Sequence, residues 1–162
     1  MAEPFTENEW AQINAHLDIN PAQYGLPERR DGSVVLLSWN IRKFGAFEEG
    51  GTPKKSAGAF ALIERVCALA DLVAIQEVQR DTGSLYELRN RLRLTGAPWE
   101  VVISDVTGMA PGYDGMAERH AILFRSDRVK RGDLASDLSF DRSAVLENSN
   151  DALRALVKGI KR

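Results

Sequence analysis

Three polar residues stand at the ends of apolar runs in this sequence, and two of them have the makings of a cation site. Val34-Val35-Leu36-Leu37 leads into Asn40 within Ser38-Trp39-Asn40-Ile41-Arg42. Leu72-Val73-Ala74-Ile75 leads into Glu77 within Ala74-Ile75-Gln76-Glu77-Val78. Glu118 stands at the mouth of a third run, His120-Ala121-Ile122-Leu123-Phe124. Apolar runs of this length, bounded by polar and turn residues, read as strands buried on both faces. A carboxamide and a carboxylate ending two such strands are placed to hold one divalent cation in a crevice, because hard cations take oxygen ligands. That is a phosphoester-cleaving site in outline. Taken singly, Asn40 also suits a residue capping its own loop, and Glu77 suits a structural pair. The second carboxylate, Glu118, is what favours chemistry.

The elements that must position these groups alternate along the chain. Ser33 to Trp39 reads as a strand, Gly45 to Lys55 as a flexible loop, Ser56 to Ala70 as a helix, and Leu72 to Gln76 as a second strand. The helix carries Phe60, Ile63, Val66 and Cys67 on one face. Strand, helix and strand in that order predict a crossover unit. Ser84-Leu85-Tyr86-Glu87 has the form of a capping box opening a helix with Leu85, Leu88 and Leu92 inward, stopped by Gly96 and Pro98. Strands follow at Trp99 to Ser104 and His120 to Arg125, with a glycine-rich loop from Gly108 to Gly115 between them. Ahead of all this, Thr6-Glu7-Asn8-Glu9 is a capping box, Phe5 and Trp10 a hydrophobic staple, and Trp10, Ile13 and Leu17 the face of a short amphipathic helix. At the far end Asn148 or Asn150 caps a last amphipathic helix through Leu153, Leu156, Val157 and Ile160. The expected organisation is an accessory helix and linker over 1–32, the main domain over 33–141, and a C-terminal helix over 142–162.

Composition narrows the class. With 162 residues, 44% hydrophobic and 27% charged, the chain reads as a single globular domain able to bury a core, and the composition argues against disorder. A net charge of −2 offers no bulk attraction to nucleic acid, so any basic surface must be local, as at Arg42-Lys43, Lys54-Lys55 and Lys158 to Arg162. Cys67 is the only cysteine; it cannot close an internal disulfide and reads as a buried structural thiol. The acidic N-terminus lacks the apolar core of a signal peptide, and no stretch approaches the ~20 apolar residues of a membrane span. A cytoplasmic location and no membrane partner are expected.

The segments Leu37 to Gly45, Asp71 to Val78 and Glu118 to Arg125, in that order and spacing, resemble the endonuclease/exonuclease/phosphatase superfamily and its deoxyribonuclease-I-like branch. The resemblance covers roughly Ser33 to Asp141. It implies an α/β fold, the first half of a four-layer α/β sandwich with a mixed sheet flanked by helices. It also implies a catalytic set of Asn40, Glu77 and Glu118. Glu77 would bind Mg²⁺ directly, with Mn²⁺ as a possible substitute, and Asn40 would orient the metal site or touch a phosphate oxygen. Glu118 would orient a catalytic histidine, and Arg42 and Arg80 would contact backbone phosphates. The substrate would be nucleic acid or another phosphoester.

The chain departs from that branch in particular places. Gln79 stands where the branch has a groove-reaching arginine, and Met116 where it has a tyrosine, so a phosphodiester other than DNA or a phosphomonoester stays open. After Asp141 there is no counterpart of the family's later histidine, Asp-x-Asn motif or closing Asp-His pair; Asn148-Ser149-Asn150-Asp151 reads as a helix cap. Of the two histidines, His16 falls on the opening helix and His120 begins a strand, where packing in the core is the expected role. The resemblance therefore implies the N-terminal portion of a Mg²⁺-dependent phosphodiester hydrolase, inactive alone. Its open sheet face would await the missing C-terminal half or a partner. A rival reading from another class is a non-catalytic binding or interaction module derived from the same fold.

Overall fold

The computed structural model describes residues 4–26, 28, 30–45, 55–106 and 118–132. The first capping box forms as the sequence predicts. The Thr6 hydroxyl accepts from the Glu9 N–H at 3.3 Å, and the Glu9 carboxylate accepts from the Thr6 N–H at 2.7 Å. This opens helix α1, Glu7–Ile19, with Phe5 meeting Trp10 edge-on at 5.0 Å. Strand β1 (Leu36–Phe44), helix α2 (Ala57–Ala68) and strand β2 (Leu72–Val78) make the parallel crossover unit. Helix α3 (Gly83–Leu94) leads to β3 (Trp99–Ile103) and β4 (Arg119–Arg125). The sheet order is β1-β2-β4-β3, parallel between β1 and β2 and antiparallel elsewhere. The fold is α/β, a mixed sheet flanked by helices.

Both packed helices lie on one face of that sheet. Phe60, Ile63 and Cys67 of α2 and Leu85, Leu88 and Leu92 of α3 are buried with Ile41, Phe44, Val73, Ile75, Val78, Ala121 and Leu123. Their three- and four-residue spacing turns one stripe of each helix to the sheet. The Arg91 guanidinium lies 4.7 Å above the Phe60 ring and reaches Glu87 at 2.6 Å and Glu64 at 3.5 Å, tying α3 to α2. Burial raises the Cys67 thiol pKa to about 12, which leaves it an inert structural group.

The opposite face corrects the expectation of strands buried on both sides. Leu36 is 70% and Ile122 41% exposed there. An apolar run cannot by itself distinguish a strand covered twice from one covered once, and among the described residues helices pack on one side only. The ladder aligns Leu36, Leu72, Phe124 and Glu100 in one outward row, and Ser38, Ala74, Ile122 and Val102 in the next. The row beyond turns polar, with Asn40 beside Gln76 and His120 beside Ser104. The expected loop at 108–115 and final helix at 142–162 lie outside the described residues.

Two further features fix the strands and the first helix. At the end of the sheet away from Asn40, the fully buried Asp71 accepts the Val35 N–H at 2.9 Å. Its other oxygen lies 3.8 Å from Arg125 and 3.7 Å from Arg128. Helix α1 buries no residue of its own. It is held by the Trp10 ring, which lies so close over Gly58 that a Cβ there would come within 2.2 Å, and by Arg65, which bonds Asn14 at 3.0 Å and pairs with Asp18. A cavity of about 660 Å³ remains between α1 and Leu37, Trp39, Leu62 and Val66, with His16 in its lining.

Candidate active site

Strand alternation breaks at the same level in β1 and β2, and the break builds the site. In β1, Leu37, Trp39 and Ile41 face the helices, so strict alternation would turn Lys43 inward; Phe44 is buried instead. In β2, Val73 and Ile75 face inward, and alternation would bury Glu77; Val78 takes that place. The two displaced residues, Lys43 at φ +50° and Glu77 at φ +57°, adopt left-handed backbone. That conformation costs about 1–2 kcal/mol for an L-residue. Burying an unpaired carboxylate costs more, so the chain bulges rather than take Glu77 into the core. The ladder records it: Asn40 pairs with Gln76, and the next pair is Phe44 with Val78, three residues of β1 against one of β2. The pairing of β2 with β4 skips in the same way between Ile75 and Val78.

The bulge fixes the Glu77 carboxylate at both oxygens. Asn40 Nδ2 donates to Oε1 at 2.8 Å, and the Lys43 backbone N–H donates to Oε2 at 3.2 Å. A carboxylate only accepts, so the amide nitrogen of Asn40 must face it. These bonds, the Asn40 one first, with help from the Arg42 and Lys43 charges, hold the Glu77 carboxyl below its ordinary range. Glu118 directly precedes β4, whose Arg119 pairs with Val78. Partial burial, and then repulsion from Glu77, push its carboxyl above the ordinary range, against attraction from His120 and Lys43 and a hydrogen bond from Gln79. Gln79 Nε2 also donates to the Glu77 carbonyl at 3.2 Å.

Asn40, Glu77 and Glu118 therefore meet at one end of the sheet. Asn40 is not the end of its strand, however; β1 continues to Phe44 through the bulge. Arg42 lies within the bulge, close enough for Glu77 to feel its charge. Arg80 is exposed two residues beyond β2, on the way to α3. Two residues acquire roles that sequence reasoning did not assign. Lys55 Nζ donates to the Arg42 carbonyl at 2.5 Å and feels Glu77; its sequence signal was a basic pair before the Ser56 cap. His120 is exposed rather than packed in the core, because Ala121 and Leu123 take the inward positions of β4. Ser84, expected as a helix cap, is instead buried inside α3, where its hydroxyl donates to the Gly45 carbonyl at 2.6 Å. Thr82 occupies the cap position. Gly45 approaches the residue after β2 so closely that a Cβ would lie 2.9 Å from Gln79 Cβ.

The donor set suits a hard cation. The Glu77 and Glu118 carboxylates lie close enough to repel one another and offer oxygen donors, the ligand type that hard cations take.

No protein-family model matches the chain. It is 34% identical over 106 residues, 65% of its length, to a protein named deoxyribonuclease from Thioalkalivibrio sp. (strain K90mix). The match spans about a quarter, 26%, of that relative. The similarity supports a nuclease-like relationship. No helix among the described residues is long and apolar enough to cross a membrane.

Proposed function

We propose that this chain carries the metal- and phosphate-binding side of a Mg²⁺-dependent phosphodiester hydrolase, an endonuclease-like member of the endonuclease/exonuclease/phosphatase superfamily. The observation that carries this reading is the Glu77 carboxylate, held in a left-handed bulge by Asn40 and the Lys43 N–H beside a second carboxylate, Glu118. Backbone strain of this kind persists where surrounding contacts impose it, and it gathers at functional sites. The nuclease-like relative supports the same reading.

Glu77 is the residue that would hold Mg²⁺ or Mn²⁺, and a bound ion would stabilise negative charge on the phosphate. Asn40 and the Lys43 N–H fix the orientation of the carboxylate and leave lone-pair capacity on both oxygens for a cation. Arg42 and Arg80 supply positive charge for non-bridging phosphate oxygens. Glu118, which feels both Glu77 and His120, is placed to orient a neighbouring group. The rival is a non-catalytic binding module built on the same fold.

A nicking assay on supercoiled DNA with Mg²⁺ or Mn²⁺ decides between them. A positioned acid–base group typically contributes ~10²–10⁴-fold, so these 162 residues alone should show no appreciable nicking. A longer form extended to the relative's length should nick, and Glu77→Ala should abolish it. An extended form that stays inactive, or nicking indifferent to Glu77→Ala, would sink the hydrolase reading.

A further inference from the structure

Lys55 and Glu77 act on opposite ends of one peptide unit. The carbonyl of Arg42 and the N–H of Lys43 belong to the same amide plane. Lys55 Nζ donates to that carbonyl at 2.5 Å, while that N–H donates to Glu77 Oε2 at 3.2 Å. We propose that Lys55 is a positioning residue for Glu77: its ammonium clamps and polarises the Arg42–Lys43 peptide and so aims the N–H at the carboxylate. The inference rests on the reading of Glu77 as the cation ligand.

The physical case has three parts. A peptide in a two-against-one or three-against-one bulge has lost its ladder partners, so its orientation must be fixed by something else. Here the register skips from Asn40 to Phe44, and Lys55 takes the Arg42 carbonyl. Next, a charged donor on a carbonyl oxygen draws electron density from the amide, which makes its N–H a better donor; chains of hydrogen bonds strengthen one another in this way. Finally, Lys55 is itself anchored. It precedes Ser56, whose side chain caps α2 by accepting the Ala59 N–H, and it is only partly exposed. The clamp therefore runs from the start of a packed helix to the left-handed Lys43 and on to Glu77. It keeps the carboxylate aimed without a third acidic ligand.

The test pairs Lys55→Met, which keeps the length and removes the charge, with Lys55→Arg, which restores a cationic donor. Two quantities are read: the Lys43 backbone amide proton shift in the metal-free chain, and Mg²⁺ affinity by calorimetry. Lys55→Met should move the Lys43 amide upfield and weaken Mg²⁺ about tenfold, the scale seen when a partner that orients a metal ligand is lost. Lys55→Arg should recover most of both. An unmoved Lys43 amide overturns the proposal outright, as does a moved amide with unchanged Mg²⁺ affinity. If the wild-type chain binds no Mg²⁺ while the amide responds, the clamp stands and the hydrolase reading falls.

Discussion

At the scale of single residues, the account turns on a carboxylate held where a glycine would sit more comfortably. Glu77 at φ +57° pays for its backbone, and its hydrogen bonds to Asn40 and Lys43 offset part of that cost. Substitutions that both remove the carboxylate isolate the backbone term. Glu77→Gly should be more stable than Glu77→Ala by about 1 kcal/mol, measured by urea denaturation; equal stabilities would mean that the left-handed conformation is not imposed there. The two carboxyls also give opposite pH responses. Glu77 has a lowered folded-state pKa, so its contribution is present above its ordinary value of 4.5 and is lost as pH falls through the folded value. Glu118 has a raised one, so its contribution is present below 4.5 and is lost as pH rises through its folded value. Glu77→Gln should flatten the stability profile on the acid side of 4.5, and Glu118→Gln on the other side. Denaturation midpoints across this range would check both, and interchanged effects would contradict the geometry.

At the scale of elements, close backbone approach is what keeps the two bulged strands together. Gly45 follows β1 directly, its carbonyl accepts the buried Ser84 hydroxyl, and a Cβ would meet Gln79 at 2.9 Å. Gly45→Ala should therefore cost about 1–3 kcal/mol and broaden amide signals at Gln79, whereas Gly132→Ala, with open space around it, should not. Much of this level was legible in the chain. The capping box at Thr6, the staple of Phe5 on Trp10, the crossover unit and the inward leucines of α3 all follow from spacing. What spacing could not show was the bulge. Strict alternation would bury Glu77 and Lys43, and only the pairing of two strands 37 residues apart reveals where the parity shifts. The same limit hid Lys55, whose partner carbonyl is thirteen residues away. It also misplaced His120, because a histidine beside an apolar run has no face until the strand has neighbours.

At the scale of the whole molecule, the sheet has one face packed against helices and one that grades from apolar to polar toward the candidate site. Leu36, Leu72, Phe124 and Ile122 lie in its mainly apolar rows, and Asn40, Gln76, His120 and Ser104 at the polar end. The match to the deoxyribonuclease covers 26% of that protein, so the activity of any longer form must be tested rather than carried across. The cation site can be tested in this chain as it stands. Titrating Mn²⁺ into isotope-labelled protein broadens the signals of nuclei near the ion, and broadening maps where it binds. Amides of 40–43, 77–79 and 118–120 should broaden first, and Glu77→Gln should remove the effect. Broadening centred anywhere else, or surviving that substitution, would contradict a cation site at Glu77.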